Sequence, residues 1–177
     1  MDFVLKKELE NSNLTYIDLI ITTKPNLIRK IGFSNKIIGV RGVNDEISRA
    51  ALENKFVDFL LTSEITDQKD FIHSRNSGLN QVLCKLAKKN NVAVGFSFSD
   101  LVNSDKKELI LGRMMQNISL CRKYKLKIVL GSFALKETEI RNKSELMSFG
   151  KILGMNGNEI NSALNFHKKE DRVKILK

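Results

Sequence analysis

The chain is poor in the residues from which self-contained catalytic and metal centres are usually built. Its 177 residues hold two cysteines and two histidines. Cys84 and Cys121 stand 37 positions apart with no C-x-x-C pair, and His73 and His167 are remote from each other in sequence. That spacing supports neither a zinc centre nor a disulfide scaffold. Cysteines used so sparingly favour a reducing, cytoplasmic compartment. No segment approaches the run of about 18 apolar residues that a membrane helix needs, and the N-terminus lacks the apolar stretch of a secretory signal. A soluble, unanchored protein is expected. Proline occurs once, as Pro25, where the first turn of a helix tolerates its missing N–H.

Acidic residues are also scarce, but unevenly. Residues 1–60 carry nine Lys/Arg against eight Asp/Glu, whereas residues 61–177 carry 21 against 12, within a net charge of +10. A polyanion partner fits the second part of the chain; a solubilising cationic surface fits equally well on charge alone.

What is present is a β/α alternation. With 42% hydrophobic residues the chain can bury one sizeable core. One β/α barrel-like domain over residues 1–177 is expected, with 1–13 and 168–177 as weakly defined ends. Buried strands are predicted over 16–22, 36–40, 56–61, 92–98 and 127–130, with a sixth possible within 1–5. Between them, Leu79, Val82, Leu83 and Leu86 make one apolar stripe of a helix over about 79–89. Asn44 is placed to cap an earlier helix, Ser104 to cap the longest one, and Asn156 with Glu159 forms a capping-box spacing near the C-terminus. In the longest helix Leu111, Met114, Met115, Ile118 and Cys121 form the expected buried stripe, with Lys106 and Arg113 opposite. Strands separated by helices imply a TIM-barrel-like parallel β/α fold. A full eightfold barrel usually needs more than about 200 residues, so the barrel is expected to be incomplete at the N-terminus, leaving strand edges that a contact must cover.

Two stretches carry a family resemblance. Arg75-Asn76-Ser77-Gly78-Leu79-Asn80, leading through Val82 to Ala87 into Val92-Ala93-Val94-Gly95-Phe96-Ser97, is the first. Gly131-Ser132-Phe133-Ala134, followed by Ile140-Arg141, Glu145-Leu146, Phe149-Gly150 and Leu153-Gly154-Met155, is the second. Both resemble the ribonuclease P protein component 3 family, over about residues 16–164. The resemblance implies a barrel similar to the PHP phosphoesterases, with the family's first two β/α units reduced or missing. It implies a protein subunit that supports the catalytic RNA in removing the 5′ leader of precursor tRNA. Its partners would be the ribonuclease P RNA and protein component 2, with precursor tRNA met indirectly. Mg²⁺ would be used by that RNA, with no cofactor in this chain. The His-x-His pair that opens the PHP metal site is missing here, so the resemblance implies neither a catalytic residue nor a metal ligand in this polypeptide.

Candidate RNA-binding residues follow from charge at loops and helix ends, and each has a plainer alternative. Arg75, Asn76 and Asn80 surround a helix N-terminus, where N–H groups favour phosphate; alternatively Asn76 or Ser77 caps that helix while Arg75 pairs with Asp70. Arg141 matches an arginine of the family, or pairs with Glu145 four residues on. Arg49 lies near the apolar side of its helix and either binds RNA or snorkels. Lys85, Lys88 and Lys89 form a patch suited to tracking a backbone. Lys123 belongs to a cationic run that also suits a helix C-terminal dipole. Arg113 completes the set. His73 and Cys84 read as a solvated loop residue and a structural thiol. Two other functions compete: a stand-alone PHP-like phosphoesterase using Asp18, Asp58 and Glu64, and a protein-binding module whose charge is incidental.

Overall fold

The structure, a computed structural model, describes residues 2–4, 14–62, 64–65, 69–70, 72–73 and 75–168, side chains at 2–4, 14 and 16 excepted. The polar segment 6–13 and the basic tail 169–177 lie outside the described residues.

Five strands make a continuous parallel ladder: β2 (Leu14–Ile20), β3 (Ile37–Arg41), β4 (Phe59–Leu61), β5 (Ala93–Ser97) and β6 (Ile128–Gly131). A sixth, β1 (Asp2–Val4), runs parallel along β2. The order is sequential from β1 to β6, the winding of a TIM-like barrel. Among the described residues the hydrogen-bonded order ends at β1 and at β6, and these two strands come into contact, so the sheet curls back on itself with no hydrogen-bonded ladder between its two ends. The crossovers hold α1 (Pro25–Arg29), α2 (Asp45–Glu53), α3 (Gln81–Lys89), α4 (Phe98–Val102) with α5 (Lys107–Tyr124), and, after β6, α6 (Lys143–Ile152) and α7 (Gly157–Leu164).

The strands separate two apolar layers. Val40, Leu60, Val94, Phe96 and Leu130 face the helices, packed with Ile47, Leu83, Met114, Ile118 and Leu146. Ile17, Phe59, Leu61, Ala93, Val129 and Phe133 fill the interior of the barrel. Alternation along β4 puts Phe59 and Leu61 inside and Leu60 outside. Phe59 occupies the middle of that interior because its neighbours give way. A Cβ on Gly39 would overlap its ring, and one on Gly95 would lie 2.9 Å from Cδ2. The Phe133 and Phe166 rings close on it at centroid distances of 5.5 and 6.5 Å. Phe166 arrives from beyond α7, and Lys168 then places its Nζ 5.1 Å above the Phe33 ring, ahead of β3. The segment 165–168 thus crosses under the barrel where the strands begin.

Several local expectations change. Asn80 caps α3, accepting from the Val82 and Leu83 N–H groups, whereas Asn76 and Ser77 precede the turn at Gly78 (φ 72°) and lie too early to do so. Asn44 and the Asn156–Glu159 capping box stand as predicted. Ser104 does not cap the longest helix; its hydroxyl accepts the Lys106 N–H, and α5 begins at Lys107. α4 was not expected: Ser97, the last residue of β5, accepts the Asp100 N–H and turns the chain into a helix at once. The buried face of α5 is Ile110, Arg113, Met114, Asn117, Ile118 and Cys121, while Met115 is exposed. The stripe is rotated because the polar segment after β4 packs over α5 and covers Arg113 and Asn117.

Candidate functional site

The segment between β4 and α3 is fastened to α5 by polar contacts. Arg113, predicted to face solvent, is completely buried. Its Nε donates to Asp70 Oδ1 at 2.8 Å and its guanidinium donates to the Glu64 carbonyl at 2.8 Å. An arginine so enclosed holds the loop together and does not present charge to a polyanion. Asp70 also accepts the Asn76 N–H at 2.9 Å. Burial pushes the Asp70 carboxyl up, but the Asn76 N–H and the Arg113 guanidinium outweigh it and hold it below the usual carboxylate range. Gln116 and Asn117 continue the clamp. The Gln116 amide accepts the Arg75 N–H at 2.9 Å and donates to the Arg75 carbonyl and the Ser77 hydroxyl. The Asn117 amide donates to the Ser77 carbonyl and to Glu64 Oε1, both at 2.9 Å.

Arg75 is the exposed product of this clamp. Its guanidinium lies 3.6 Å from Asp70, the plainer alternative offered by the sequence, and its side chain is 47% exposed. It rests against α5 at Gly112, where a Cβ would come within 2.5 Å of Cζ. Asn80, at the head of α3, is exposed and engaged as the cap.

The remaining candidates divide between the two ends of the barrel. Lys88 and Lys89 lie in the last turn of α3 and Lys123 in the last turn of α5, all exposed, and Lys85 is exposed one turn earlier. Lys88 Nζ donates to the Lys125 carbonyl at 3.0 Å, joining the two helix ends. Arg141 stands beyond the C-terminal end of β6. It donates to the Thr138 and Ile140 carbonyls and lies 5.0 Å over the Phe98 ring. Glu145, its proposed partner, turns back to accept the Asn142 N–H in a capping box. Arg49 is exposed on α2. No single patch contains all of these groups.

Sequence reading passed over Arg41 and Asp100. At the C-terminal mouth of the barrel they form a two-pronged ion pair, at 2.8 and 3.1 Å, with side chains 19% and 16% exposed. Their positions at the end of β3 and just after β5 are the signal that could have marked them. Glu64 lies beyond β4, fully enclosed, and burial pushes its carboxyl up to about 7, with hydrogen bonds from Thr62 and Asn117 pulling against that. The acids Asp18, Asp58 and Glu64 do not converge. Asp18 is exposed and pairs with Lys36, Asp58 precedes β4 and accepts the Ile38 N–H, and Glu64 follows the other end of β4. Among the described residues no group of three or more His, Cys, Asp or Glu side chains is placed to hold a metal ion. His73 is exposed, and Cys84 is buried with its thiol pushed up to about 11 by that burial, which suits a structural thiol. No helix among the described residues is long and apolar enough to cross a membrane.

The family described as RNase P subunit p30 matches residues 20–170. Ribonuclease P protein component 3 of Thermococcus gammatolerans is 34% identical over 172 residues, which are 93% of this chain and 77% of that protein. Its counterpart in Methanosarcina mazei is 33% identical over 141 residues, 78% of this chain, and there the match spans 56% of the relative. A chain from a cryo-EM structure of archaeal ribonuclease P with mature tRNA superposes with a TM-score of 0.69 and 26% identity, covering 88% of this chain and 67% of that one.

Proposed function

The chain belongs to the RNase P subunit p30 family and is a protein subunit of ribonuclease P, and from that premise we propose that it braces the catalytic RNA of an archaeal-type enzyme while that RNA removes the 5′ leader of precursor tRNA. The observation that carries the reading is the family match across residues 20–170. The chain's contribution would be cationic groups set against RNA phosphates that repel one another as the RNA folds. Exposed Arg49, Arg75, Lys85, Lys88, Lys89 and Lys123 are available for this, with Asn76, Asn80 and Arg141 beside loops and helix ends. Each phosphate neutralised by protein releases counterions, which lowers the Mg²⁺ the RNA needs. In this proposal the RNA carries the Mg²⁺ and the chemistry, and protein component 2 is the partner beside this chain, in the cytoplasm. Arg113, enclosed and bonded to Asp70 and the Glu64 carbonyl, positions the Arg75 loop and does not itself touch RNA.

The test is reconstitution. Adding this chain and protein component 2 to ribonuclease P RNA should restore cleavage of precursor tRNA at Mg²⁺ concentrations where the RNA alone is inactive. Cleavage that is the same with and without the chain would overturn the reading.

A further inference from the structure

A groove of about 860 Å³ opens at the end of the barrel where the strands begin, away from the Arg75 loop and the Arg41–Asp100 pair. One wall is the segment between α5 and β6, with Lys125 and Lys127 exposed along it. The other wall is α7. That helix buries Ile160, Ala163 and Leu164, and it lines the groove with Asn158, Ser162 and its C-cap residue Asn165, four and three residues apart on one exposed stripe. Positive charge therefore faces short, uncharged hydrogen-bonding side chains across the opening.

Glu159 is the one carboxylate of this lining, and it is already engaged. It accepts the Arg122 guanidinium through both oxygens at 2.8 Å and the Asn156 N–H at 2.8 Å. The Arg122 hydrogen bonds hold its carboxyl below the usual range, against the opposing effect of burial. Its charge is spent on Arg122, so the groove is cationic through Lys125, Lys127 and Lys168, with Lys88 drawn to the rim by its bond to the Lys125 carbonyl. The dipole of α5 accounts for Arg122 and Lys123 in its last turn. It accounts neither for Lys127, at the head of β6, nor for the amide and hydroxyl stripe opposite.

We infer that this groove binds an unpaired segment of RNA, with phosphates against Lys125 and Lys127 and base or ribose edges against Asn158, Ser162 and Asn165. Lysine suits a phosphate as a point charge that does not read sequence. Amide side chains offer donors and acceptors together, which suits the exposed edges of unpaired bases and the 2′-hydroxyl. An acidic peptide would engage the lysines but leave the α7 stripe without a purpose. The inference rests on the reading of the chain as a subunit bound to RNA, and it names the surface used.

Two measurements test it: binding of the full chain to a short mixed-sequence single-stranded RNA across a salt series, and the Mg²⁺ requirement of the reconstituted enzyme. The variants are K125N/K127Q on one wall and N158A/N165A on the other. K143Q/K151Q, on the exposed side of α6, is the charge-matched control. Losing two phosphate contacts should flatten the slope of log affinity against log salt by about 1.4 for K125N/K127Q. It should also raise the Mg²⁺ needed for cleavage. N158A/N165A should weaken RNA binding several-fold with the slope kept, and K143Q/K151Q should match the parent in both assays. Groove variants that track the control, or a poly-glutamate peptide that binds the parent as tightly as the RNA does, would overturn the assignment. If the parent supports cleavage and the groove variants do so equally, the groove alone is wrong. If the parent supports none, the subunit reading fails, and the oligonucleotide titration still decides the groove.

Discussion

Replacing Arg113 by methionine tests whether the loop that presents Arg75 is held from beneath. The guanidinium is enclosed and satisfies Asp70 and the Glu64 carbonyl, both at 2.8 Å. Removing one member of a buried ion pair costs about 3–5 kcal/mol, because its partner is left uncompensated. Asp70 retains 22% of its side-chain exposure, so water can take over part of the load, and methionine refills some of the volume. The cost should therefore fall at the low end, about 3 kcal/mol. Urea denaturation should show a lower midpoint with an unchanged slope. Thermal unfolding should move down by roughly 6–12 °C. Hydrogen exchange separates this from a general loss of packing. The Asn76 amide, whose acceptor is Asp70, should lose protection first, and the Arg75 amide, held by Gln116, should follow. A loss below about 1 kcal/mol would refute the reasoning. So would a full loss that leaves both amides protected.

Glu64 gives stability an uncommon pH dependence. Its folded value of about 7 lies above the ordinary 4.5, so below 4.5 the group is protonated in both states and costs nothing. As pH rises from there to 7 the unfolded chain ionises first, and the fold loses about 3 kcal/mol relative to acid conditions. E64Q keeps the Oε1 acceptor for Thr62 and Asn117 and should remove that decline; urea midpoints for parent and variant that fall equally between about pH 5 and about pH 8 would exclude Glu64 as its source. G112A should add helix propensity to α5, up to about 1 kcal/mol, while its methyl displaces the Arg75 guanidinium from its seat. The expected pattern is unchanged or higher thermal stability with altered RNA affinity, and a cooperative loss of stability would show that Gly112 is needed for packing instead.

The barrel was legible because its strands obey simple rules. Runs such as Val92–Phe98 and Lys127–Leu130 are too apolar and too short for anything but strands covered on both faces, and Asn44 and Asn156 announce helix starts with their side chains. Strand ends were less legible, since at Ser97 one hydroxyl decides whether the chain extends or turns. The site was read least well. Arg113 falls at a position that helical spacing assigns to solvent, and only the segment folded back over α5 buries it. No periodicity encodes that covering. Arg75 was found through a family motif, yet its partners Asp70, Gln116 and Gly112 come from two separate elements that meet only in the folded chain. Arg41 and Asp100 lie 59 positions apart, and local pattern cannot pair them.

The placement of Phe166 has a bearing on synthesis. Its ring completes an aromatic cluster begun by Phe59, and Lys168 then latches onto Phe33. A nascent chain with every strand already outside the ribosome still lacks that last insert, and the side of Phe59 that Phe166 covers stays open to solvent and to chaperones until the residues just past α7 have been translated. The last packing step of the domain should therefore wait on the chain just past α7, following the slow, long-range pairing of the strands.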